Sequence, residues 1–462
     1  MLAHEAAPSF PDEADTPRSV YSNEPSRFSS GAQSNPHQSS GLTATPGPIG
    51  LVRWAFYISV FAIPFARLYL PGTGERIGVT RLVQFVILIA TLSQPRVCLR
   101  FVPAALLWLG AYCGMRIIWG LWLSPELAGS WWPSTLQWLQ FSLPWLWVMF
   151  NLLQFPKIGR GGLWALIWGC ALCASLHVAG IGTVEVGQWD EGRSSVFNQN
   201  ANVIGMTYGL SLVALMAIGM FRDMQTTRRL LIIPLAGVIG VALAKTGSRT
   251  GLMVLAIGMV VLLLETQAFV PRARRVLVLL MVGTVLVGVG VQMPTILNRF
   301  KTLESAGQRQ EEPRARMLPV LWEMFLRHPM SGSGPDQYQF ELTRRAMPYL
   351  VREQRTISAH NLFLLVLVET GVIGFFPFFF GLKSVLTAAW RARSGASGVL
   401  PLALVLPVVI AAGTSSNPSS SEIFWLAIAY GLAGGNYPSK PDPHPAAFPW
   451  DGGRANFRLS QS

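Results

Sequence analysis

Three short stretches hold residue types that can do chemistry, each beside a long apolar run. The first, EGRSSVFNQNANVIG at 191–205, gathers Arg193 with Asn198, Gln199, Asn200 and Asn202. A guanidinium among amides can hold sugar hydroxyls or a phosphate. The plainer reading is a loop in which Arg193 pairs with Asp190 or Glu191 and an asparagine caps the next helix. The second, KTGSRTGL at 245–252, sets Lys245 and Arg249 in a small, polar break with Thr246, Gly247, Ser248, Thr250 and Gly251. Cations at membrane depth are costly and point to function. The competing reading is an interfacial turn with two snorkelling side chains. In the third, SAHNLFLLVLVETGVIGFF at 358–376, His360 stands where a long polar loop meets an apolar run. Neutral imidazole can act as a base near physiological pH, although a lone His there also suits an interfacial or capping role.

Other ionisable and thiol groups read as structural. Glu369 is nine residues after His360, so a continuous helix would point it to the opposite face and about 13 Å deeper. No direct dyad forms, Glu369 needs another partner, and Gly371 and Gly374 predict close helix packing. His177 sits among Leu, Ala and Cys as a polar packing residue, and His328 ends a loop helix. The four cysteines lie in or beside apolar runs without a zinc spacing.

The elements that must position these residues are membrane helices. Of 462 residues, 51% are hydrophobic and only 13% charged, about half the charge of a soluble domain. Apolar runs lie at about 51–70, 79–94, 101–123, 134–155, 162–183, 201–221, 229–244, 250–266, 275–293, 360–382, 399–416 and 422–435. Those at 79–94, 229–244 and 422–435 are short. The fold class expected is an all-α membrane protein of about twelve transmembrane helices. The net charge of +13 sits in short basic clusters between runs, which fits topology rather than nucleic acid. Arg96, Arg100, Lys157, Arg160, Arg222, Arg228, Arg229, Arg272, Arg274, Arg275, Lys383, Arg391 and Arg393 all fall on one side if both termini are cytoplasmic.

The expected organisation is therefore a disordered cytoplasmic tail (1–48), helices one to nine (49–293), a large outside loop (294–359), helices ten to twelve (360–436) and a second disordered tail (437–462). Ten basic residues in the large loop do not overturn the orientation, because long loops escape the positive-inside bias. Within the loop, PRARMLPVLWEMFLRHP predicts a helix from Pro313 to before Pro329. Leu318, Leu321, Trp322 and Phe325 would form its apolar stripe, lying on the membrane or capping the bundle.

In this order the motifs resemble the O-antigen ligase and polymerase family of bacterial glycosyltransferases. The resemblance runs from Arg193 to Gly374: an Arg-Asn motif, SRTGL at 248–252, Trp322 followed by HPMSGSG, and HNLFL with ETGVIG. It includes the large loop before the His-bearing span, while NAN at 200–202 departs from the usual Asn-Pro-Asn by Ala201. The resemblance implies a GT-C-like enzyme of the bacterial inner membrane with its active site facing the periplasm. Such enzymes move a glycan from a polyprenyl-diphosphate carrier to a glycan, lipid or protein acceptor hydroxyl, in O-antigen or exopolysaccharide ligation or polymerisation. It assigns catalytic positions to Arg193, Arg249 and His360, and a matching basic position to Arg316. Lys245, Ser248, Asn200 and Asn202 would bind substrate.

Guanidinium groups suit a diphosphate leaving group. His360 would orient or deprotonate the acceptor, giving inversion. No acidic cluster near these motifs suggests Mg²⁺, so no metal or cofactor is expected. The alternative is a transporter or flippase for polysaccharide or lipid-linked glycan, which can also place charge at broken helices. Against it, no convincing internal repeat is visible and the polar motifs fall on one side.

Overall fold

The computed structural model describes residues 47–69, 78–185, 193–220, 230–264, 283, 313–346, 359–395, 397–414 and 421–435. Nearly all of both tails, and the apolar run at 275–293 apart from position 283, lie outside these residues. The described chain is overwhelmingly helical. In order its helices are α1 (Gly50–Phe61), α2 (Val79–Thr91), α3 (Pro95–Cys98), α4 (Ala104–Leu123), α5 (Ala128–Gln137), α6 (Leu143–Leu153), α7 (Pro156–Val178), α8 (Ala201–Met220), α9 (Ile232–Thr246) and α10 (Arg249–Leu263). Then come α11 (Pro313–Arg327), α12 (Gln337–Ala346), α13 (Leu362–Ala392), α14 (Leu400–Ala412) and α15 (Glu422–Gly434). Strands β1 (Thr183–Glu185) and β2 (Ser194–Val196) pair antiparallel between α7 and α8.

Helices α4, α7, α8 and α13 are long and apolar enough to cross a membrane, and α1, α2, α9, α10, α14 and α15 are apolar but shorter. The run expected at 134–155 is instead one stack from Ala128 to Leu153, in which a π-helical turn at Trp138–Ser142 joins α5 to α6. Pro133 and Pro144 flank that turn, and each removes a backbone donor where the helical ladder shifts. In the loop helix α11 the stripe is rotated from expectation. Met317, Leu321 and Met324 are buried, whereas Leu318 and Trp322 are exposed, because the helix packs onto α12 and α13 with the first set.

Two groups of helices share one core. Helices α7 to α10 pack among themselves, with α1 against α7, while α4, α13 and α15 form a second group. Helix α14 packs against α8 and α10 on one side and α13 and α15 on the other. Glycines set the closest approaches. A Cβ on Gly209 of α8 would lie 2.5 Å from the Gly251 carbonyl oxygen of α10, a backbone approach that only small residues permit.

These contacts also fix helix direction. Tyr430, late in α15, donates to the Gly159 carbonyl early in α7 at 2.6 Å. Gly431 and Gly434 of α15 abut Val385 and Ala392 of α13, so α13 and α15 run together and opposite to α7. The start of α13, with His360 just before it, is thus at the end of the bundle where α7 closes and α8 and α10 begin.

Candidate functional site

At that end α9 and α10 meet in a tight turn. Gly247 ends α9 at φ 57°, the left-handed conformation that glycine adopts most easily. Ser248 then caps α10, its Oγ accepting the Gly251 N–H at 3.0 Å. Arg193, the residue before β2, reaches over this turn: its Nε donates to the Thr246 carbonyl at 3.1 Å and its Nη2 to Asn202 Oδ1 at 3.3 Å. Ser248 Oγ donates to the same Asn202 oxygen at 3.3 Å. A Cβ on Gly247 would sit 2.7 Å from Arg193 Cγ, so the arginine stem lies directly on the turn. The first two motifs, about fifty residues apart, become one site. Asp190 and Glu191, the sequence partners considered for Arg193, lie outside the described residues.

The remaining candidates take different positions. Asn200 fills the capping role, because its Oδ1 accepts the Asn202 N–H at 2.9 Å and its carbonyl starts the α8 ladder. Lys245 Nζ donates to the Val178 carbonyl at 3.0 Å. Ser194 Oγ donates to the Lys245 carbonyl at 3.4 Å and also meets His177 Nε2 at 2.8 Å, which draws buried His177 into the shell behind the turn. Lys245 and Arg249 are both exposed. The spans read from the sequence put them at depth, but the break is a turn at the end of the bundle, where both residues are exposed. Arg316 lies on α11, with its side chain outside the described residues. His360 is partly buried at φ 51°, an uncommon backbone conformation outside glycine. Asn361 caps α13, accepting the Leu364 N–H at 3.0 Å.

The electrostatics of the turn are unusual. A helix N-terminus carries partial positive charge and favours anions. Here the first turn of α10 contains no acidic residue, its first residue is Arg249, and Arg193 lies across the preceding glycine. Arg249 has no carboxylate partner among the described residues. Positive groups are collected where the helix itself repels them, an arrangement suited to receiving an anion.

A second constellation was not anticipated. At Gly371 α13 breaks (φ 64°, ψ −169°), and the loop after α11 fills the break. Ser333 N–H donates to the Val368 carbonyl at 2.8 Å and Gly334 N–H to the Glu369 carbonyl at 3.0 Å. In return Val372 and Ile373 N–H donate to the Pro329 and Met330 carbonyls at 2.9 and 3.3 Å. Irregular backbone inside a bundle persists only where protein satisfies it in this way. Gly371 is therefore a break that receives a loop, and not the helix-packing glycine expected. Below it, Arg116 of α4 contacts Glu369 at 3.5 Å and Asp336 at 3.4 Å. Asp336 is fixed by Ser130 Oγ at 2.6 Å, and its own N–H donates to Glu369 Oε1 at 3.1 Å. One sequence signal could have found Arg116, a lone cation inside a twenty-residue apolar helix.

Residues 234–379 match the family described as O-antigen ligase. The matched segment contains Lys245, Ser248, Arg249, Arg316 and His360, together with the loop seated in the α13 break. Arg193, Asn200 and Asn202 lie before it. No curated protein matches the sequence.

Proposed function

We infer that this chain, whose residues 234–379 match the O-antigen ligase family, transfers a glycan from a polyprenyl-diphosphate carrier to an acceptor hydroxyl. The reading places about twelve spans in a bacterial inner membrane, with the Arg193–Ser248 turn facing the periplasm. The observation that supports it most is that Arg193, held on Thr246 and Asn202, and Arg249 both stand at the Ser248-capped start of α10.

As the bond from the anomeric carbon to the phosphate oxygen breaks, negative charge builds on the diphosphate. Arg193 and Arg249 neutralise it, with the α10 terminus and Lys245 adding to the field. Ser248 and Asn202 hold Arg193 in place, and Asn200 fixes the entry to α8 that carries Asn202. His360 orients the acceptor hydroxyl and takes its proton as the new glycosidic bond forms. The attack is in line and inverts the anomeric centre, and the carrier diphosphate leaves. Arg316 adds a cation from the large loop. No metal is required by this scheme, since cations of the protein supply the charge.

The test is single-turnover transfer by the purified protein in nanodiscs, with a polyprenyl-diphosphate glycan as donor. Arg249→Ala should slow transfer by about 100-fold or more while the protein melts like wild type. Transfer within a factor of about two of wild type by both Arg249→Ala and Arg193→Ala would remove this assignment.

A further inference from the structure

The opposite end of the bundle carries a polar cavity with a different chemistry. We propose that the cavity between the second half of α13 and the close of α15 binds the phosphate-bearing headgroup of an anionic phospholipid. Its volume is about 370 Å³, and Phe380, Lys383, Ser384, Thr387, Arg391 and Gly435 line it. Lys383, Thr387 and Arg391 recur every four residues, so they lie along one face of the helix. Neither cation has a carboxylate partner among the described residues. Ser384 Oγ spends its proton on the Phe380 carbonyl at 2.7 Å and so offers only lone pairs, while Thr387 supplies a hydroxyl. Two cations and two hydroxyls in one recess match a phosphodiester with a polar alcohol attached.

Depth singles out a lipid rather than a free anion. The apolar stretch that follows the break at Gly371 runs uncharged to Leu382, where the chain leaves the hydrocarbon. Lys383 is the next residue, and Arg391 stands two turns farther out, at headgroup level. On the hydrocarbon side Phe376 and Phe379 are 52% and 46% exposed, a surface for acyl chains. On the water side Trp390 is exposed beneath Arg393, whose guanidinium lies 3.7 Å from the ring centre, an interfacial anchor. Basic recesses between helices at this level suit anionic lipid headgroups.

The test uses the full-length protein, delipidated in detergent and examined by native mass spectrometry with phosphatidylglycerol or phosphatidylcholine. Wild type should retain phosphatidylglycerol in preference to phosphatidylcholine. Each lost cation should weaken that binding about fivefold, and Lys383→Gln with Arg391→Gln together about thirtyfold. The charge-keeping pair Lys383→Arg and Arg391→Lys should bind like wild type, as should Arg53→Gln, which removes an exposed cation from α1. Equal retention of both lipids, or unchanged phosphatidylglycerol binding by the double Gln variant, would overturn the proposal. Inorganic phosphate that raises the melting temperature through the same two cations, with no preference between the lipids, would reassign the cavity to a free anion and overturn the lipid reading.

Discussion

Replacing Gly371 by Ala should unseat the loop that completes α13, and the cost can be worked from the geometry. At φ 64° and ψ −169° the residue occupies a region essentially reserved for glycine, so a side chain there costs about 1–3 kcal/mol in backbone strain. The added Cβ would also collide with the Met330 carbonyl, and relieving that collision means withdrawing the loop. Four backbone hydrogen bonds depend on the loop, at about 1 kcal/mol each net. The expected loss is therefore about 4 kcal/mol if the loop leaves and the backbone relaxes, and about 1–3 kcal/mol if the loop stays and holds the strain. Gly332→Ala should act alike, since its Cβ would meet the Glu369 carbonyl carbon at 2.5 Å. Gly240→Ala is the control: nothing lies within 4 Å of its Cβ position in α9, so it should be neutral or stabilise by up to about 1 kcal/mol. Tryptophan-monitored unfolding in detergent, with proteolysis across 328–337 as a local probe, reads both effects. If Gly371→Ala unfolds and resists protease like Gly240→Ala, the loop does not hold the broken helix together.

Three further outcomes are expected. Arg116→Ala leaves Glu369 and Asp336 buried without their cation and should cost about 3–5 kcal/mol in unfolding experiments; a change below about 0.5 kcal/mol would show that the network is not structural. On α11, the hydrogen bond and charge of Arg327, then Arg345, hold the Glu323 carboxyl below its usual 4.5. A depressed folded value means that its contribution is complete above about pH 5 and is lost as pH falls through that lowered value. Proteolytic protection of α11 and α12 should accordingly be flat from about pH 8 to 5 and decline only below about 4. Chelation with EDTA should leave glycan transfer unchanged, and a loss restored by Mg²⁺ would contradict the reading that protein cations carry the charge.

The helical character was legible because the apolar runs are long, and most of them coincide with helices among the described residues. The α11 helix was readable from Pro313 and Pro329 together with the apolar periodicity between them, which carries it through Pro319. The candidate site was readable in part. Arg193, Asn202 and Ser248 stand out as polar residues at helix edges, yet one oxygen of Asn202 meeting both other side chains is a tertiary fact that spacing cannot carry. Asn200 was ambiguous for a local reason: the amide that might bind a sugar also caps α8. The break at Gly371 was missed because ETGVIG reads as an ordinary small-residue helix interface. Only the pairing of its broken backbone with PMSGSG, about forty residues earlier, distinguishes the two. The stripe on α11 was misjudged by less than a turn, since Met317 and Met324 pack where Leu318 and Trp322 were expected. Periodicity identifies an apolar helix more readily than the side that a partner will cover.

The proposed roles of Arg249 and His360 in glycan transfer stand or fall together in one comparison. They are tested most directly by glycan analysis of cells lacking this protein, complemented with wild type, Arg249→Ala or His360→Ala at matched expression. Loss of polymer length or of surface attachment is expected in the null strain, restored by wild type and by neither variant. Short single repeats would then mark a polymerase, and full-length polymer left on the carrier a ligase. Full restoration by both variants would contradict the site assigned here.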